Sequence, residues 1–111
     1  MIKVLKAKDL NEIYNATHQT HRLRSLTDVD YYDLVRIFGQ ASIPVESADG
    51  KVQKEWVFDY KGEIFTIYDW KTYDEHETMT ELFTWNIGGK SFDQEFADEL
   101  LHLLPAGAKI V

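Results

Sequence analysis

Apolar positions along the chain alternate between two spacings, and the changes of spacing divide it into elements. Tyr31, Leu34, Val35 and Phe38 recur at intervals of three and four, which predicts a helix with one buried stripe. Thr27 is placed to cap that helix, Asp28 and Asp30 fall in its first turn, and Gly39 closes it. A second stripe, Phe92, Phe96, Leu100, Leu103 and Leu104, predicts a helix ended by Pro105. Ser91 followed by Gln94 matches a capping box at its start. Residues 9–20 have helical spacing through Leu10, Ile13 and Tyr14, and residues 2–6 read as a short edge strand.

Between the two clear helices the period drops to two. Residues 52–59 and 63–70 are rich in aromatic and β-branched side chains, with Gly62 at the reversal, and predict a β-hairpin. A two-residue Lys61-Gly62 turn requires a positive φ at lysine, so a three-residue Tyr60-Lys61-Gly62 loop is the expected connection. That register gives Trp56, Phe58, Ile64, Tyr68 and Trp70 to the face meeting the helices. The other face then carries Val57, Phe65 and Ile67 among Glu55, Asp59, Glu63 and Asp69. The two-residue turn would instead group Trp56 and Phe58 with Phe65 and Ile67. Residues 40–51 and 71–80 read as polar loops, the second a candidate lid, and residues 81–87 as a third strand. The expected fold is α+β: a two-layer sandwich with helices packed on one face of an antiparallel sheet of three to four strands.

Composition narrows the class. With 111 residues, 44% hydrophobic and 14% aromatic, residues 1–111 are expected to form a single domain around one core. Absence of cysteine excludes disulfides and thiolate metal sites. No stretch approaches the roughly 20 apolar residues of a membrane span, and the first residues interleave lysine with aliphatics, unlike a signal peptide. A cytoplasmic location, with no membrane partner, is therefore expected. The net charge is −7, unevenly spread: residues 1–26 hold five basic and two acidic residues, and the remainder seven and seventeen. An acidic body disfavours nucleic acid as a partner and suits a basic protein surface, with Glu75, Glu77 and Glu81 as candidate partner-binding residues.

The strand–Gly88-Gly89-Lys90-Ser91–helix segment is the strongest chemical signal. A helix start offers free N–H groups and partial positive charge to an anion. A complete P-loop would need glycine at position 84, where this chain has Thr84. What is left is a glycine pair, one lysine, one hydroxyl and a helix start, which also suffice for a tight strand-to-helix connection. Asp93 in the first turn opposes a dianion. Trp56, Tyr68, Trp70 and Trp85 lie on neighbouring predicted strands, either as core or as a stacking wall for a flat ligand. The candidate ligand-binding set is Gly88, Gly89, Lys90, Ser91, Trp85, Tyr68 and Trp70. His18 and His21 would share a helix face without a carboxylate to complete a metal site, and His76 among Asp74, Glu75 and Glu77 has no nucleophile. No catalytic residue, metal or cofactor is expected, and the chain reads as a non-enzymatic protein.

Asp49-Gly50-Lys51, Glu55-Trp56, Ile67-Tyr68-Asp69-Trp70-Lys71 and Trp85-Asn86-Ile87-Gly88-Gly89 together resemble small uncharacterised proteins of tailed bacteriophages, over roughly positions 34–104. The resemblance implies a phage origin, action in the host cytoplasm, and a part in host takeover or counter-defence. It transfers no catalytic residue. Two functions fit: a non-catalytic binder that sequesters a phosphate-bearing small molecule such as a nucleotide immune signal, or an acidic inhibitor that binds a host defence protein or mimics nucleic acid charge. The apolar strip Val57, Phe65 and Ile67 would also suit a homo-oligomer.

Overall fold

A computed structural model describes residues 1–6, 17–18, 20–44, 47, 50–72 and 74–111. In chain order the elements are β1 (Ile2–Val4), β2 (His21–Thr27), α1 (Tyr31–Phe38), β3 (Glu55–Tyr60), β4 (Glu63–Tyr68), α2 (Glu75–Thr80), β5 (Thr84–Gly89), α3 (Gln94–Leu103) and β6 (Lys109–Ile110). The class is α+β, but the antiparallel sheet has six strands rather than three to four, in the order β1-β3-β4-β5-β2-β6. Two of the additional strands escape the hydrophobic pattern. β2 mixes Arg22 and Arg24 with Leu23 and Leu26 around a bulge, which breaks the alternation, and β6 is two residues long. The helix expected over residues 9–20 falls mostly outside the described residues. Thr17 and His18 lie in a turn and His21 opens β2, so the two histidines do not share a helix face.

The hairpin has the two-residue turn that lysine disfavours. Tyr60 pairs with Glu63, Phe58 with Phe65 and Trp56 with Ile67, across a two-residue turn with φ of 52° at Lys61 and 86° at Gly62. Burial decides the matter. This register turns Trp56, Phe58, Phe65 and Ile67 to one face, all at most 1% exposed, and removes the apolar strip expected on the other. Two contacts support the turn: Asp59 Oδ1 accepts from the Gly62 N–H at 2.9 Å, and Lys61 Nζ reaches Glu95 at 2.8 Å.

α1 and α3 pack on that apolar face. Leu34 and Phe38 from α1 and Phe96 and Leu100 from α3 join Trp56, Phe58, Phe65, Ile67, Trp85 and Ile87 in one cluster. Phe96 stacks on Phe65 with ring centroids 4.0 Å apart, and Trp56 meets Trp85 edge-on at 5.6 Å. Both helix starts differ from expectation. Thr27 ends β2, and Asp30 caps α1 in a reciprocal box with Asp33. Asp93, not Ser91, caps α3 by accepting from the Phe96 N–H at 3.1 Å. Leu103 is exposed, and Phe92 lies outside the helix beneath the Arg24 guanidinium, 4.3 Å from its ring centroid. Gly39 closes α1 as expected, its N–H bonding Val35 at 2.8 Å.

The region expected as a polar loop over 71–80 contains α2, tied down by Asp69. That carboxylate is fully buried rather than on the outer face. It accepts from the Gln53 and Lys54 N–H groups at 2.9 and 3.0 Å, from Thr78 Oγ1 at 2.8 Å and from Thr72 Oγ1. One side chain thereby joins the approach to β3, the end of β4 and α2. Among the described residues no helix is long and apolar enough to cross a membrane.

Candidate functional site

The predicted ligand set does not converge on one point. Gly88 and Gly89 are strand residues of β5, paired with Thr66 and Phe65 on one side and Arg22 and His21 on the other, and neither has positive φ. They are small because their neighbours come close. A Cβ at Gly88 would lie 2.5 Å from Thr66 Oγ1 and 3.3 Å from Tyr68 Cε1, and one at Gly89 would lie 2.9 Å from Leu23 Cδ1. The phosphate-binding turn expected at these positions is therefore close-packed strand, and the carboxylate of Asp93 occupies the adjoining helix start. Lys90 and Ser91 are exposed; Lys90 lines a separate hollow of about 200 Å³ with Gly62, Glu63, Ile64 and Phe65. Trp85 is sealed in the core, its Nε1 donating to the Val29 carbonyl at 2.8 Å.

Three members of the set meet on the opposite, outer face of the sheet: Tyr68, Trp70 and Gly88. Alternation along β3, β4 and β5 sends Glu55, Thr66, Tyr68, Asn86 and Gly88 to this face, away from the helices. Tyr68, Trp70, Arg22 and Asn86 line an open groove of about 470 Å³. Trp70 is 49% exposed, which is uncommon for a tryptophan without a partner surface. Arg22 is held across the strands by Asn86 Oδ1 at 3.2 Å from its Nε and by the Ser25 hydroxyl. Lys51 Nζ lies 5.6 Å from the Trp70 ring centroid. In a chain of net charge −7, two cations beside the groove's aromatic wall make it locally attractive to anions.

Beyond Tyr68 the face sinks into a second hollow of about 180 Å³, lined by Glu55, Thr66, His21 and Thr20 among others. Glu55 stands opposite Tyr68 in the β3–β4 ladder. Burial, helped by the buried charge of Asp69, pushes its carboxyl up to about 7. Burial and the Glu55 charge likewise raise the Tyr68 phenol, opposed by Arg22. Glu55 and Arg22 are the functional candidates that the sequence did not mark. Glu55 reads as one acid among several on a half-polar strand, and Arg22 lies in a strand that the pattern concealed.

The acidic residues expected to meet a partner, Glu75, Glu77 and Glu81, are exposed on and just after α2. Glu75 lies 3.5 Å from the largely buried Lys54 ammonium, which also donates to the Pro44 carbonyl. No group of three or more metal-ligating side chains occurs among the described residues. Compared with known proteins, the chain matches no family model, no curated sequence and no solved structure.

Proposed function

We propose that the protein is a non-catalytic binder of a flat, anionic small molecule of nucleotide type, held on the outer face of its sheet. One observation carries the reading: exposed Trp70 and half-buried Tyr68 share a groove with Arg22 and Asn86. An aromatic face stacks a base of any sequence identity, a guanidinium pairs with phosphate oxygens in bidentate fashion, and a carboxamide bonds a ring edge. The ligand region is thus moved from the helix start at Ser91 to the groove, keeping Tyr68 and Trp70 from the sequence-based set. Resemblance to phage proteins gives the capture a purpose, sequestration of a nucleotide immune signal in host takeover or counter-defence.

Calorimetric titration of the full chain with purine mononucleotides and cyclic nucleotides tests this. Trp70→Ala is expected to weaken binding about tenfold or more, in keeping with the roughly 1–3 kcal/mol that stacking one base contributes. Arg22→Ala is expected to weaken nucleotides more than the corresponding nucleosides. Affinity unchanged in both variants, or no nucleotide bound by the parent chain, overturns the proposal.

A further inference from the structure

Among the described residues, the hollow beside Tyr68 presents oxygen atoms that no donor bonds. Among the described residues no side chain or backbone N–H bonds the Glu55 carboxyl or the Thr66 hydroxyl, yet no sealed polar atom lacks a partner. Half-buried Glu55 faces the hollow, whereas Thr66, 1% exposed, touches it only at its edge. Glu55 and Thr66 are diagonal neighbours on the β3–β4 ladder, on the same face, which places them roughly 7–8 Å apart at the backbone. The Thr20 hydroxyl already donates to the Thr17 carbonyl at 2.6 Å and offers only lone pairs inward. Gly88 lines the hollow where Thr66 and Tyr68 come close, so that a Cβ there would lie 2.5 Å from Thr66 Oγ1. The hollow has a volume of about 180 Å³ and is open to solvent, so it can take the edge of a base.

We infer that this hollow is a base-recognition subsite selective for guanine, with Glu55 accepting from the N1–H and 2-amino groups of the base. The inference rests on the nucleotide-binding reading above and names its specificity. Guanine places two adjacent donors on its Watson–Crick edge, matching the two oxygens of one carboxylate, and its O6 accepts from a hydroxyl such as that of Thr66. Adenine brings an unprotonated N1 against the same carboxylate, acceptor against acceptor, and is rejected. The base stacks along the Tyr68–Trp70 wall with its Watson–Crick edge turned past Tyr68 into the hollow, while its phosphate lies toward Arg22. A raised carboxyl fits this use, since a desolvated acceptor bonds the donors of a ligand more strongly than one surrounded by water. The charged and titratable groups about Glu55 are Tyr68 from β4, Asp69 just after it and His21 from β2, with Arg22 on the far side of Tyr68. Binding to the carboxylate form accordingly strengthens from pH 6 to pH 8.

Titration of the full chain with GMP, IMP and AMP at pH 8 tests the inference. GMP is expected to bind at least about tenfold more tightly than AMP, with IMP, which lacks the 2-amino group, between them. Glu55→Gln is expected to lose the preference for GMP, with GMP affinity lowered and AMP affinity equal or raised as the acceptor clash is relieved, and to keep the native circular dichroism spectrum. Equal GMP and AMP affinity in the parent chain, or a GMP preference that survives Glu55→Gln, overturns the inference. If Trp70→Ala still abolishes that unselective binding, the groove stands and the guanine subsite alone falls. If no nucleotide binds the parent chain, both fall together.

Discussion

At Glu55 the folded chain holds a proton that the unfolded chain gives up. Its carboxyl rises from an ordinary 4.5 to about 7, so between those values the native state binds more protons than the unfolded state, and stability falls as pH rises. The loss is complete above about pH 7 and absent below 4.5. The shift corresponds to about 3 kcal/mol at most, and the solvent contact of this half-buried side chain reduces that to about 1–2 kcal/mol. Glu55→Gln is therefore expected to raise the melting temperature at pH 8 by several degrees, with the gain vanishing toward pH 4.5. Equal gains at both pH values would mean that the carboxylate carries no desolvation cost. Gly88 belongs to the same scale. Its pairing with Gly89 looked like a phosphate turn because sequence shows that a side chain is missing without showing why. The cause is a non-local approach by Thr66 and Tyr68, which only the folded ladder supplies.

Among the elements, what was legible in the sequence followed from local periodicity. The stripes of α1 and α3, the hairpin and the strand before Gly88 were each visible as runs of spacing within one segment. Hidden features depended on partners distant in sequence. β2 is a strand because β5 and β6 flank it, not because its own residues alternate cleanly. The hairpin turn shows long-range burial overriding local preference: lysine takes a left-handed φ because the other register would expose Phe65 and Ile67. Replacing Lys61 by asparagine, which favours that conformation in two-residue turns, is expected to raise the melting temperature by roughly 2–4 °C. A lowered melting temperature would show instead that the contact with Glu95 outweighs the backbone strain. The outer-face site was legible only in its aromatic members, Tyr68 and Trp70. Arg22 was hidden with its strand, and Glu55 needed the register before its surroundings could be known.

For the molecule as a whole, Asp69 joins segments that the sheet alone does not. Its four donors come from residues 53, 54, 72 and 78, so losing the carboxylate leaves buried N–H and hydroxyl groups unmatched. Asp69→Ala is expected to cost about 3 kcal/mol or more in urea unfolding, with amide exchange in α2 accelerated more than in β5. A cost below about 1 kcal/mol would mean that water replaces the carboxylate freely. The strand order has a further consequence, in time rather than in space. β2 is made early, yet its ladder partners are β5 and β6, and its first pairing, His21 with Gly89, spans most of the chain. Closing so long a loop comes late in folding. The hairpin β3–β4 is local in sequence and carries Tyr68 and Glu55, whereas Arg22 and Asn86 arrive only when β5 docks between β4 and β2. The groove and the hollow are therefore expected to be completed late, and a chain interrupted before residue 84 still contains Arg22 and the aromatic residues but lacks the strand that sets them face to face.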